Sequence, residues 1–351
     1  MLDKFYKQFK SGTDIRGVAS EGVEGQPVNL TDDVVARMAD GFVLWLSKKV
    51  SKAPETLTIS IGRDSRISGP HIVSICSERF KRCGATVLDC SLASTPSMFM
   101  TTVDLGCDGA LQITASHHPF NRNGLKFFTR EGGLEGSDIE EILEYAQNGE
   151  SPAENACGKI RKVDYMTDYA KGLCKKIKEE VNAEDYDHPL KGFKIVVDAG
   201  NGAGGFYADK VLSVLGADTT GSRYLEPDGM FPNHIPNPED ATAMASICEA
   251  VKEANADLGV IFDTDVDRGG AVDNKGNEIN RNRLVAVAAA IALEGNEGGT
   301  VVTDSITSSG LKEFIENTLA EVIKMLSTKH SNSMHRVSIV RSPLKLQVTL
   351  Q

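Results

Sequence analysis

No apolar run in this chain approaches the ~18 residues that would cross a bilayer, and Met1 to Lys10 carries lysine and aromatics without the apolar core of a secretory signal. The chain is therefore expected to be soluble and intracellular, in the cytoplasm or, with a targeting segment upstream, in a plastid. Positive charge is also short. Lys and Arg number 38 against 49 Asp and Glu, a net charge of −11. Neither nucleic acid nor an anionic membrane is expected as a main partner, because both need a basic face. The seven cysteines form no CxxC pair and no zinc-like spacing with histidine. An odd, dispersed set reads as reduced, mostly buried thiols. Low-complexity segments and close repeats are missing too. What remains is a globular chain of 351 residues, 40% hydrophobic and 25% charged, expected to form two or three domains at roughly 100–200 residues each.

Short β-branched runs alternate with amphipathic stretches, the pattern of an α/β fold. Strands are predicted at Leu57 to Ile61, Ala85 to Asp89, Gly109 to Ile113 and Leu125 to Thr129. Helices are predicted at Gly69 to Cys83, Pro96 to Val103 and Ser137 to Gln147, and a Gly/Pro/Ser/Asn linker at residues 148–158. The same grammar then restarts. A helix is predicted at Asp164 to Val181, a strand at Phe193 to Val197, a glycine-rich turn at residues 198–205, and helices at Phe206 to Leu215 and Ala241 to Ala254. A strand at Leu258 to Phe262 follows. A third unit begins near Gly276 with helices at Asn282 to Leu293 and Gly310 to about Leu319 and a strand at Thr300 to Thr303.

Two loops carry the chemistry. Thr114-Ala115-Ser116-His117-His118-Pro119 puts a serine hydroxyl at the end of an apolar strand, where open α/β sheets bind ligands. Asp263-Thr264-Asp265-Val266-Asp267-Arg268 puts carboxylates at alternate positions after a second such strand. In a curled loop these can converge on one hard cation such as Mg2+, which takes oxygen ligands and keeps room for phosphate oxygens. Together they are what metal-assisted phosphoryl transfer through a phosphoserine requires. The Asp198 to Gly205 turn fits neither a Walker A loop nor Gly-x-Gly-x-x-Gly, and is expected to be a tight strand-to-helix turn rather than a phosphate cradle. His117 and His118 lack further ligands in their segment, so a metal site there is not expected. Arg63 and Arg66 are expected at the surface or in a substrate cleft.

In combination the sequence resembles the α-D-phosphohexomutase family. The likeness runs through Gly12-Thr13-Asp14-Ile15-Arg16-Gly17, the serine loop, Asn123-Gly124-Leu125-Lys126, Asp198 to Gly205 and Asp263 to Arg268, in the family's order. His118 stands where members more often have Asn, and Thr264 where many have Gly. The resemblance implies repeated mixed-sheet α/β domains, two complete (residues 1–160 and 161–276) and a third incomplete (277–325). It implies that Ser116 carries the phosphoryl group and joins Asp263, Asp265 and Asp267 around Mg2+, and that Lys126 is the general acid/base. Arg16, Arg268 and His117 would contact the substrate, a hexose phosphate, with a hexose 1,6-bisphosphate as intermediate and activator. Family members have four domains, and their third-domain sugar loop and fourth-domain phosphate clamp find no match here. Residues 326–351 read as a divergent tail. Little turnover is thus expected from this chain alone. Two other readings remain: a phosphatase with an aspartyl nucleophile, suggested by Asp263-Thr264-Asp265, and a non-catalytic fragment that associates with full-length subunits.

Overall fold

The computed structural model describes residues 1–293, 301 and 308–315. Of the strand expected at Thr300 to Thr303 only Val301 is described, and the end of the helix expected to reach Leu319 and the tail at 326–351 lie outside the described residues. The first unit contains α1 (Lys4–Lys7), β1 (Lys10–Ser11), β2 (Asp14–Val18), α2 (Asp32–Val50), β3 (Thr58–Arg63), α3 (Gly69–Arg82), β4 (Thr86–Leu92) and α4 (Thr95–Asp104). It continues with β5 (Gly109–Ile113), β6 (Arg122–Thr129), β7 (Gly132–Gly133), α5 (Gly136–Asn148) and β8 (Lys159–Lys162). The strands form one mixed sheet in the order β1-β2-β6-β5-β3-β4-β8, with β7 pairing β6. β3, β4, β5 and β8 run parallel, while β6 is antiparallel to both β5 and β2.

Strand periodicity assigns each face of this sheet its own core. Ile59, Ile61, Leu111 and Ile113 point toward α2, α3 and α5, where Met38, Phe42, Phe80 and Ile142 are fully buried. Ala110 and Phe128 point the other way, onto Met98 of α4 and Tyr165. β5 is buried at every position, so its apolar run ends abruptly where the polar loop begins.

The second unit contains α6 (Tyr165–Val181), β9 (Ile195–Asp198), α7 (Ala241–Ala254), β10 (Leu258–Phe262) and β11 (Gly269–Asp273). Its three strands are ordered β11-β10-β9, with β10 parallel to β9 and antiparallel to β11. α7 covers one face through Ala243, Ile247 and Val251, and the segment at 207–212 covers the other, with α6 packed behind it through Ala170 and Cys174. A regular helix is expected at Phe206 to Leu215, but Tyr207–Leu212 winds as a π-helix, with Ser213 donating to the Ala208 carbonyl at 3.0 Å. α8 (Arg281–Leu293) and α9 (Ser309–Glu313) follow, with Val287 and Ile291 of α8 exposed. No described helix is long and apolar enough to cross a membrane. The cysteines among the described residues are unpaired, and all but Cys157 and Cys248 are buried.

Candidate active site

Each chemical loop leaves the carboxyl end of a central strand. After β5 the chain turns through Ser116, whose backbone is left-handed (φ 50). That geometry is costly for a non-glycine residue and persists only where its surroundings hold it. Here the Ser116 N–H donates to Thr114 Oγ1 at 2.9 Å, and Thr114 in turn donates to Asp64 Oδ2 at 2.7 Å. Arg66 completes the frame. Its Nε donates to Asp64 at 3.2 Å, Nη1 to the carbonyls of Pro119 (2.6 Å) and Arg122 (2.9 Å), and Nη2 to those of His118 (2.6 Å) and Ser116. All five guanidinium donors are used. The expected surface or cleft role of Arg66 is thereby corrected: its exposure is 0%, because the serine loop's own carbonyls replace water around it. Phe231, from the second unit, lies over the same guanidinium, 5.3 Å from ring centroid to Cζ. Arg63 is partly buried and donates to the Asp64 carbonyl at 2.9 Å.

After β10 the aspartate loop curls so that one oxygen from each of Asp263, Asp265 and Asp267 lies within 4.8 Å of the others. Asp263 Oδ1 accepts the N–H groups of Asp267 (3.1 Å) and Arg268 (3.0 Å), which folds the loop back on itself. Val266 is forced to φ 64 between two of the carboxylates, a genuine outlier for a β-branched residue. The glycine turn supports this loop from below. Gly202 packs so closely that a Cβ there would lie 2.7 Å from the Thr264 carbonyl oxygen, and Ala203 N–H donates to that oxygen at 2.8 Å. The N–H groups of residues 199–203 are spent on protein acceptors, consistent with a structural turn.

The first unit supplies one side-chain donor to each aspartate's carboxylate. Ser116 Oγ donates to Asp263 Oδ2 at 2.9 Å, Thr95 Oγ1 to Asp265 Oδ2 at 2.5 Å, and Lys126 Nζ to Asp267 Oδ2 at 2.7 Å. His117 Nδ1 stands 3.3 Å from Ser116 Oγ. Arg16 Nη2 pairs with Asp14 at 2.9 Å, and its buried Nε has no hydrogen-bond partner among the described residues. Arg268 reaches the site through its backbone N–H, and its charge bears on His117. The structure thus brings Ser116, Lys126, His117, Asp263, Asp265 and Asp267 into one hydrogen-bonded cluster.

Electrostatics show what the cluster lacks. Burial, followed by repulsion from its neighbouring aspartates, holds Asp263 well above the ordinary carboxylate range, and the same causes push Asp265 up to about 6. Asp267 is also buried, but Lys126, a hydrogen bond with Asp263 and the charge of Arg268 together outweigh that cost and lower it. Burial would lower Lys126, yet Asp14, Asp267 and Asp265 together raise it, so its ammonium stays charged. His117 is lowered by burial and then by Arg268 and Arg16. His118 falls to about 4, first through burial and then through Arg16. Both rings are neutral near pH 7. Asp265 Oδ1 and Asp267 Oδ1 are buried without a hydrogen-bond partner. Unsatisfied carboxylate oxygens in an oxygen-only cluster fit a hard divalent cation such as Mg2+.

Two family descriptions match this chain. Phosphoglucomutase/phosphomannomutase alpha/beta/alpha domain I covers residues 7–153, and domain II covers residues 168–276. The chain belongs to the phosphoglucomutase/phosphomannomutase family. It is 30% identical over 319 residues to a phosphoglucomutase of Neisseria meningitidis serogroup A, covering 91% of this chain and 64% of the relative. Against a phosphoglucomutase/phosphomannomutase of Thermococcus kodakarensis it is 30% identical, covering 88% and 65%. A family protein from Burkholderia thailandensis shares the fold, with TM-score 0.73 and 24% identity over 90% of this chain and 64% of that one. The chain therefore spans just under two thirds of the length of these relatives. The mixed α/β architecture expected from the motifs is the one this family carries.

Sequence reasoning missed the residues that hold the site together. Thr95 is visible only as part of a helix start, Ser94-Thr95-Pro96, and Asp64 and Arg66 only as a polar loop. Their partners lie 50 to 170 positions away, and no local pattern encodes such contacts.

Proposed function

We propose that this chain carries the phosphoryl-transfer half of a phosphohexomutase, interconverting hexose 1-phosphate and hexose 6-phosphate through a phosphoserine at Ser116. The observation that carries this reading is the 2.9 Å contact between Ser116 Oγ and Asp263, which joins the nucleophile to the carboxylate cluster across 147 residues. The division into units at 1–160, 161–276 and 277–325 goes with it, because the reacting groups come from the first two. Asp263, Asp265 and Asp267, with an oxygen on Ser116, would hold Mg2+. When bound, that ion supplies Lewis-acid charge for the transferring phosphoryl oxygens.

The chain's own residues do the rest. The bond from phosphorus to Ser116 Oγ breaks as one forms to a sugar hydroxyl, giving a hexose 1,6-bisphosphate, and the hydroxyl proton passes to Lys126, which must have given up its own proton before this step. After the intermediate reorients, its other phosphoryl group returns to Ser116 and the sugar regains a proton. Arg16, with its unpartnered buried Nε, and Arg268 bind phosphate oxygens, where the guanidinium fork suits bidentate contact. His117, neutral and beside the serine, contacts the substrate. An aspartyl nucleophile is disfavoured, because both oxygens of Asp263 are already engaged, one by Ser116 and one by two backbone N–H groups.

Intact mass of the purified chain, before and after addition of glucose 1-phosphate with Mg2+, tests the reading. A phosphate-sized mass that the sugar removes, absent in Ser116→Ala, is the expected result. Phosphate that stays on, or that persists in Ser116→Ala, would overturn it.

A further inference from the structure

We propose that Thr95 is a positioning residue of the cation site, fixing Asp265 so that only one of its oxygens can turn to the ion. This rests on the cation-assisted reading above. Thr95 opens α4 and is 5% exposed, and it holds Asp265 twice. Its N–H donates to the Asp265 carbonyl at 2.8 Å, and its hydroxyl donates to Oδ2 at 2.5 Å. The first bond satisfies one of the orphan donors of a helix start and anchors the backbone. The second selects the carboxylate rotamer, tying Oδ2 to the first unit and leaving the buried Oδ1 without a hydrogen-bond partner. The positive end of α4 also favours a charged carboxylate at this point.

Of the three first-unit donors, Ser116 and Lys126 have their own chemistry to perform. Thr95 has none: its hydroxyl is committed to Asp265. Its function is geometric. It registers the aspartate loop of the second unit against the serine loop of the first, so that the ion is presented to Ser116. Partners of ligating carboxylates typically govern metal affinity by about 10–100-fold.

The test is Mn2+ and Mg2+ binding by titration calorimetry, on the full chain, for wild type, Thr95→Val, Thr95→Ser and Asp265→Asn. Val keeps the shape and the backbone N–H bond but removes the hydroxyl, and Ser restores it. Thr95→Val should weaken cation binding by roughly tenfold or more, with Thr95→Ser close to wild type and the cation-free melting midpoint of both variants little changed. Equal affinity in wild type and Thr95→Val, with Asp265→Asn impaired, would overturn the role of Thr95 alone. Failure of wild type to bind either cation would overturn the inference together with the reading beneath it. Weakened binding in Thr95→Val that Ser does not rescue, accompanied by a fallen midpoint, would reduce Thr95 to a structural residue and overturn the proposal.

Discussion

A buried arginine holds the serine loop in its left-handed shape, and this makes Arg66 the most consequential side chain outside the reacting groups. Removing its guanidinium leaves Asp64, fully buried and already raised by desolvation, without its counter-charge, and strips four loop carbonyls of their donor. Breaking a buried pair by deleting one partner costs about 3–5 kcal/mol. Arg66→Met should lose that much in urea unfolding, while Arg63→Met, which gives up one bond to a carbonyl, should lose less. Equal losses would mean that the loop does not depend on the buried network. Ser116 and the three aspartates are legible in the sequence because each loop follows a mostly apolar five-residue run, Gly109 to Ile113 and Leu258 to Phe262, which marks the end of a strand. Arg66 is not legible. A charged residue in a polar loop has the same sequence signature whether water or carbonyls surround it.

At the scale of elements, local pattern identifies most helices and strands but not those whose pattern is interrupted by contacts elsewhere. α2, the central helix of the first core, goes unpredicted. Its apolar face is broken by Asp40, buried against Arg79, and by Gly41, where a Cβ would lie 2.4 Å from the Ile142 carbonyl of α5. Both residues are helix-weakening in isolation and are explained only by the packing. β8 is exposed at all four positions, so no alternation announces it, and only its parallel pairing with β4 makes it a strand. In the second unit the loop at 226–238 is tied to the glycine turn by a buried pair. His234 Nε2 stands 3.1 Å from Asp198 Oδ1, while Ser246 and the Gly200 N–H also donate to Asp198. Burial pulls the His234 pKa down, but the hydrogen bond and charge of Asp198 outweigh it and raise the group above 6.5. A group raised in the folded state contributes its stability in full below the unfolded pKa and loses it as pH rises through the folded value. The stability gap between wild type and His234→Gln should therefore be widest near about pH 5.5 and shrink as the pH climbs above the unperturbed value of about 6.5. A gap that widened with pH in denaturant unfolding would contradict the ion pair.

For the molecule as a whole, the three donor–aspartate contacts and the Phe231–Arg66 contact join two units that also share one apolar cluster, in which Met98 and Phe128 of the first pack with Tyr165 and Met166 of the second. Nothing in the sequence of either unit reveals this, because complementarity between loops some 150 residues apart has no local signature. A cation held by the second unit's aspartates and oriented by the first unit's donors would bind only when both are folded and docked. Ligand that binds the native state alone adds RT ln(1 + [L]/Kd), or about 2.7 kcal/mol at a hundred times Kd. Scanning calorimetry with Mg2+ at that excess should therefore shift the melting of both units upward together, and EDTA should reverse the shift. In Asp265→Asn the shift should largely vanish. A rise confined to one of two resolved transitions would mean that the aspartates hold the ion without the first unit. The serine would then not be a partner in the cation site, and the alignment of Ser116 with Asp263 would have to arise only when substrate bridges the two units.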